Sequence, residues 1–222
     1  MRQKNMALKT FERLDQEKKA KIFGEAVREF SAKGYAKASI NAMVKNLGIA
    51  KGSIFQYFGD KQGLFSFVFS RSVEMVKDYL KAIRRETAGE NFFFRLESIL
   101  TSGVQFVRNH PRIYTLYVKI QFEGNMEFCS RLLSSLRRES FEFLSELIAT
   151  GIERGELDPT LDVTHTAFML DAVLDRFLQA HMLEHLDAGL NLNHADAETT
   201  RNRAREIVGL LRRGLEKRSN IP

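Results

Sequence analysis

The residues best suited to chemistry lie in one short segment, KGSIFQYFGDK, and their chemistry is noncovalent recognition of a polyanion. Lys51 can pair with phosphate, and Gly52 lets a backbone approach a flat partner closely. Ser53 and Gln56 can reach base edges, with Gln56 suited to adenine N6 and N7 in a major groove. Phe55 offers an apolar face to a thymine methyl, and Tyr57 a hydroxyl to phosphate. Lys61 follows at the start of the next helix, where its charge and the free amides would form an anion site.

Two short helices must position this set. The first is predicted over Ile40 to Leu47, because Ile40, Met43, Val44 and Leu47 fall at i, i+3, i+4, i+7 on one face. Ser39 precedes it and can cap its free amides, which places Ser39 at the edge of the expected DNA surface. Gly48 ends it, since glycine enters the left-handed region without a side-chain clash. The second helix is predicted from about Ala50 or Lys51 to Phe58, with Ile54 and Phe58 inward and Lys51, Gly52, Ser53, Phe55, Gln56 and Tyr57 outward. Gly59 and Asp60 interrupt the run, and Asp60 can cap a third helix. The pattern is a helix-turn-helix whose second helix would enter a major groove.

This stretch resembles the DNA-binding domain of the tetracycline-repressor (TetR) family. The resemblance begins near Lys18 and is sharpest in FSAKGYAKASI and LGIAKGSIFQYFGDKQGLF, where Gly52, Ile54, Tyr57, Phe58 and Lys61 match the family pattern. Ala50 stands where the family has serine, so the recognition helix would lack a side-chain cap. Phe55 stands where the family has tyrosine, which removes one phosphate hydrogen bond. The resemblance covers about the first quarter of the chain and beyond that is one of layout.

Composition agrees with a DNA-facing head. Residues 1–61 hold 13 Lys+Arg against 6 Asp+Glu, whereas residues 62–222 hold 21 against 22, so the net +6 sits entirely in the first part. The three prolines, Pro111, Pro159 and Pro222, leave room for long helices. The sequence holds no apolar run long enough to span a bilayer, and MRQKNMALKTFERLDQEKK is too polar for a secretory signal, so a cytoplasmic protein with no membrane partner is expected. The lone Cys129 excludes an internal disulfide and reads as a buried or incidental thiol.

The expected fold is all-α with about nine helices: an N-terminal three-helix helix-turn-helix domain over residues 1–60 and a helical ligand-binding and dimerisation domain over residues 61–222. Residues 1–14 read as a basic arm. Helices follow over about Asp15 to Lys33 (ended by Gly34), the two above, Asp60 to Arg85, Asn91 to Asn109, Arg112 to Phe122, Met126 to Arg154, Asp162 to Leu186 and Asp196 to Lys217. Phe93, Phe106, Tyr114, Tyr117 and Phe122 can line an apolar ligand pocket or simply fill the core. The stripes Leu174, Phe177, Leu178, His181 and Ile207, Leu210, Leu211, Leu215 need a partner surface. The resemblance implies that this partner is a second copy, and that a small-molecule effector relieves repression at a double-stranded, near-palindromic DNA operator.

Other constellations are weaker. His181 and His185 stand at i, i+4 but lack the HExxH arrangement, so no metal site is expected. Asp171 and Asp175 form an i, i+4 carboxylate pair without a nucleophile or phosphate loop, which fits a polar contact with Arg176 or other arginines across a dimer better than catalysis. No catalytic residue and no cofactor are expected. Two other classes stand beside the regulator: a nonspecific architectural DNA-binding protein without effector, and a helical enzyme centred on the aspartate pair.

Overall fold

The computed structural model describes residues 10–122 and 127–216, the side chain of Phe122 excepted. These residues are helical, with no strand among them. The order is α1 (Gln16–Lys37), α2 (Ile40–Leu47), α3 (Lys51–Phe58), α4 (Lys61–Glu86), α5 (Phe92–Asn109), α6 (Pro111–Phe122), α7 (Glu127–Glu153), α8 (Val163–Ala180) and α9 (Ala197–Leu215). A short 3-10 turn, Glu184–Leu186, lies between the last two. No described helix is long and apolar enough to cross a membrane. The chain gathers into two compact units: residues up to Val76 with His110–Ser135, and Lys77–Asn109 with the chain from Leu136 onward.

In the first unit, Ile22, Val27 and Phe30 of α1 join Met43 and Val44 of α2, Ile54 and Phe58 of α3, and Leu64, Phe65 and Val68 of α4 in the buried interior. Phe30 meets Phe65 edge-on at 4.9 Å. The helix boundaries follow the expected chemistry. Asp15 accepts from the Lys18 amide, Ser39 from the Ala42 amide, and Gly48 takes a left-handed conformation at φ 66°. Gly34, the expected end of the first helix, also departs from helix geometry (φ 71°), but α1 resumes beyond it as far as Lys37. α6 packs along α1, and Lys119 Nζ donates to Ala32 O at 2.6 Å. Of the expected basic arm, residues 1–9 lie outside the described residues. Phe11 is no part of an arm: it is 2% exposed and sits 5.0 Å from the Phe58 ring and 4.9 Å from Phe67.

The second unit is built by α5 against α8 and α9, with Leu96, Leu100, Leu147, Ile148, Leu170 and Val208 buried between them. Asp162 caps α8 and Asp196 caps α9. α8 ends at Ala180, six residues earlier than its pattern suggests. This revises the outward stripes. Phe177, His181 and Leu215 are buried in their own subunit, and Leu174, Leu178, Ile207 and Leu211 pack half-buried on the same core. The physical reason is that a protomer needs its strongest apolar stripe for itself; Leu178, for example, lies over Gly103 of α5. Of the expected set, Leu210 is mostly exposed (62%), and Phe168 (68%) and Met169 (37%) are the exposed apolar residues of α8.

Candidate nucleic-acid interface

The recognition helix is fixed from beneath. Ile54 and Phe58 are 1% and 3% exposed, and the turn Gly48–Ile49 closes through a bond from the Ile49 amide to Val44 O at 3.1 Å. Ala50 supplies no side-chain cap, as its departure from serine implies. The far end of α3 is held by a close approach. A Cβ on Gly63 would stand 1.9 Å from Phe58 O, so only glycine lets the first turn of α4 meet the last carbonyls of α3.

What remains outside matches a groove-facing surface. Lys51, Gly52, Phe55 and Gln56 are exposed, while Ser53 and Tyr57 are half-buried at the flanks. Lys51 Nζ lies 5.8 Å from the Phe55 ring centroid. Tyr57 is braced edge-on by Phe11 at 6.1 Å. Phe11 thus positions an outward residue, which the polar sequence around it conceals.

Two of the expected DNA-facing residues also make contacts within the chain. Lys61 donates to Ala36 O at 3.0 Å and its ammonium stands 4.9 Å over the Tyr35 ring. Burial lowers its pKa, against the pull of Glu29. One of the amides expected to form an anion site beside it already has a partner, since Asp60 Oδ1 accepts from the Gly63 amide at 2.6 Å. Lys61 therefore ties the end of α1 to the start of α4. Ser39 likewise spends its hydroxyl oxygen on the Ala42 amide, and its own amide donates to Glu29 Oε1 at 2.9 Å.

Glu25 and Glu29 are functional-unit residues that sequence reasoning passed over. Glu29 is 4% exposed and accepts from Lys33 Nζ at 2.9 Å as well as from Ser39. Burial pushes its carboxyl up, but those two donors outweigh it and the net shift is downward. Glu25 accepts from Arg28 Nε and Nη2 and from Asn46 Nδ2 at 2.8 Å; Arg28 chiefly lowers its pKa. The signal was present: Glu29 stands on the stripe Ile22, Ala26, Phe30, where a charge has to find a buried partner.

Away from the head, the other candidates resolve into structural contacts. Asp171 and Asp175 both meet Arg137 of the same chain, at 3.0 Å each. Burial raises the Asp171 pKa, and Arg137 offsets it in part. His181 Nδ1 lies 2.8 Å from Phe177 O, and the ring is buried, which lowers its pKa. His185 lies beyond the end of α8, so the pair shares no helix face, and no cluster of three or more metal-ligating side chains occurs among the described residues. Phe93 is buried under the Arg212 guanidinium at 4.5 Å, and Phe106 faces Tyr79 at 5.4 Å, both in the second unit. Tyr114 and Tyr117, 5.8 Å apart, belong to the first. The Phe122 side chain lies outside the described residues.

The family model of bacterial regulatory proteins, tetR family, matches residues 22–67, the span from α1 through the recognition helix into α4. These residues form a TetR-family DNA-binding domain. Among curated relatives, the HTH-type transcriptional regulator AcrR of Shigella flexneri is 24% identical over 167 residues, covering 74% of this chain and 78% of AcrR. A TetR-family transcriptional regulator from Chloroflexus aurantiacus superposes with TM-score 0.70 at 26% identity, over 95% of this chain and 98% of that one. FadR from Bacillus subtilis, solved in complex with stearoyl-CoA, superposes with TM-score 0.68 over 85% and 96% of the two chains; at 17% identity it speaks for the fold. The TetR-type helix-turn-helix makes the chain a DNA-binding transcriptional regulator, and its relatives are regulators, not enzymes.

Proposed function

We propose that this TetR-family regulator acts as a homodimeric repressor that places one α3 per subunit in the major groove of a near-palindromic operator. The observation that carries this is the two-sidedness of α3: Ile54 and Phe58 are buried, while Lys51, Gly52, Phe55 and Gln56 stand outside. Gln56 and Ser53 read base edges, Phe55 meets a thymine methyl, and Lys51 and Tyr57 hold phosphates. Residues 1–60 serve DNA binding, and residues 61–222 serve the effector and the dimer. The dimer face is centred on Phe168, Met169 and Leu210, because large exposed apolar side chains on α8 and α9 gain most from cover by a second copy. The effector is apolar or amphipathic; FadR's stearoyl-CoA is one of this kind. Effector binding lowers operator affinity by its preference for the non-binding conformer and by no more.

Selection of bound sequences from a random duplex library tests the operator. The expected product is a pair of inverted half-sites about one helical turn, or a multiple, apart. Recovery of no preferred sequence would instead support architectural binding.

A further inference from the structure

We propose that Glu25 and Glu29 are positioning residues for operator recognition: from one face of α1 they grip α2 at both ends and so set the pose of α3. The inference rests on the proposed operator binding. The two carboxylates are four residues apart, one helical turn, and both turn toward α2. Glu29 takes the Ser39 amide immediately before α2 begins, and Glu25 takes Asn46 one residue before α2 ends. Each is also held by a cation of its own helix, Glu29 by Lys33 and Glu25 by Arg28. That bracing fixes the rotamer, so the grip is stiff along α1. α2 is only eight residues long and passes into α3 through the three-residue turn Gly48-Ile49-Ala50. A short helix held at one end can swing; held at both, its direction is defined, and the turn passes that direction to α3. A displacement of about 1 Å in a group aimed at a base edge is enough to break its hydrogen bond.

The charge makes the claim unusual and testable. Residues 1–61 carry a net excess of 7 positive charges and bind a polyanion, so electrostatics alone predicts that losing an acid here tightens binding to every duplex. The clamp predicts the opposite for the operator only. The experiment measures affinity of the full chain for a library-selected operator and for random duplex at one salt concentration. The variants are Glu29→Ala, Glu29→Gln, Glu25→Ala, Asn46→Ala and the double variant Glu25→Ala with Asn46→Ala.

Glu29→Ala should weaken operator binding about tenfold, with random-duplex affinity unchanged or tighter. Glu29→Gln keeps an acceptor for the Ser39 amide and should recover part of that loss. Asn46 is exposed, so its alanine variant keeps the fold even where Glu29→Ala does not. Glu25→Ala and Asn46→Ala should each weaken the operator complex by a similar factor, and the double variant by no more than either alone. A specific-to-random ratio unchanged by Asn46→Ala and Glu25→Ala, or fully additive losses in the double variant, would overturn the clamp. If the unmodified chain shows no operator preference, the proposed function fails instead, so the two failures are distinct.

Discussion

Gly52 offers a substitution whose effect changes sign between the free protein and its complex. It stands exposed in the first turn of α3, and a Cβ built there meets nothing within 4 Å outside its own helix. In the free protein Gly52→Ala adds no clash and removes backbone freedom from the unfolded chain, which stabilises by about 0.5–1 kcal/mol. For a chain of this size that raises Tm by about 1–4 °C. On the operator the same methyl enters the layer where backbone and DNA approach. Displacing a close-packed contact costs about 1–3 kcal/mol, or about 5- to 150-fold in Kd. Thermal unfolding and fluorescence anisotropy with a labelled operator measure the two effects. Gly24→Ala is the control, because Gly24 is also helical, exposed and clear of neighbours but lies on α1. It should raise Tm alike and leave operator affinity unchanged. A Gly52→Ala protein that is more stable and binds the operator as tightly as before would refute the placement of this helix face against DNA.

Gly63→Ala forces a backbone shift at the α3–α4 junction, since the new Cβ would sit 1.9 Å from Phe58 O; denaturant melts should show a loss of about 1–3 kcal/mol or more, with operator binding weakened. Gln56→Ala should cost about 1–3 kcal/mol on the selected site and blur the preference at one base pair; equal weakening on matched and mismatched operators contradicts a base contact. Phe168→Asp and Leu210→Arg alter exposed side chains, so the fold should persist while sedimentation shifts from dimer to monomer. His181 has a folded pKa held below its ordinary value by burial, so the unfolded state binds more protons in the window between the two. Its contribution is complete above about pH 6.5 and falls as pH drops toward the folded value. Urea melts at pH 7.5 and 5.5 should show a larger acid loss for the unaltered chain than for His181→Gln.

Much of the head was legible because its signals are local. Ser39, Gly48 and Asp60 act on amides or dihedrals within three residues, and each does what its type predicts. Ile54 and Phe58 separate the faces of α3 by helical period alone. What escaped was set by distant partners. Lys61 meets the carbonyl of Ala36, Glu25 meets Asn46, and Phe11 finds the Phe58 and Phe67 rings, none of which spacing discloses. In α8 the period marked the apolar stripe correctly but not its destination, because periodicity cannot tell a subunit's own core from a partner. Phe168, outside that stripe, is the most exposed large apolar residue of α8.

Methylation protection on the selected operator tests the central claim most directly, since dimethyl sulfate reaches guanine N7 in the major groove and adenine N3 in the minor groove. Two clusters of protected guanine N7, related by the operator dyad, are the predicted result. Protection confined to adenine N3, or none at any base while the protein remains bound, would contradict it.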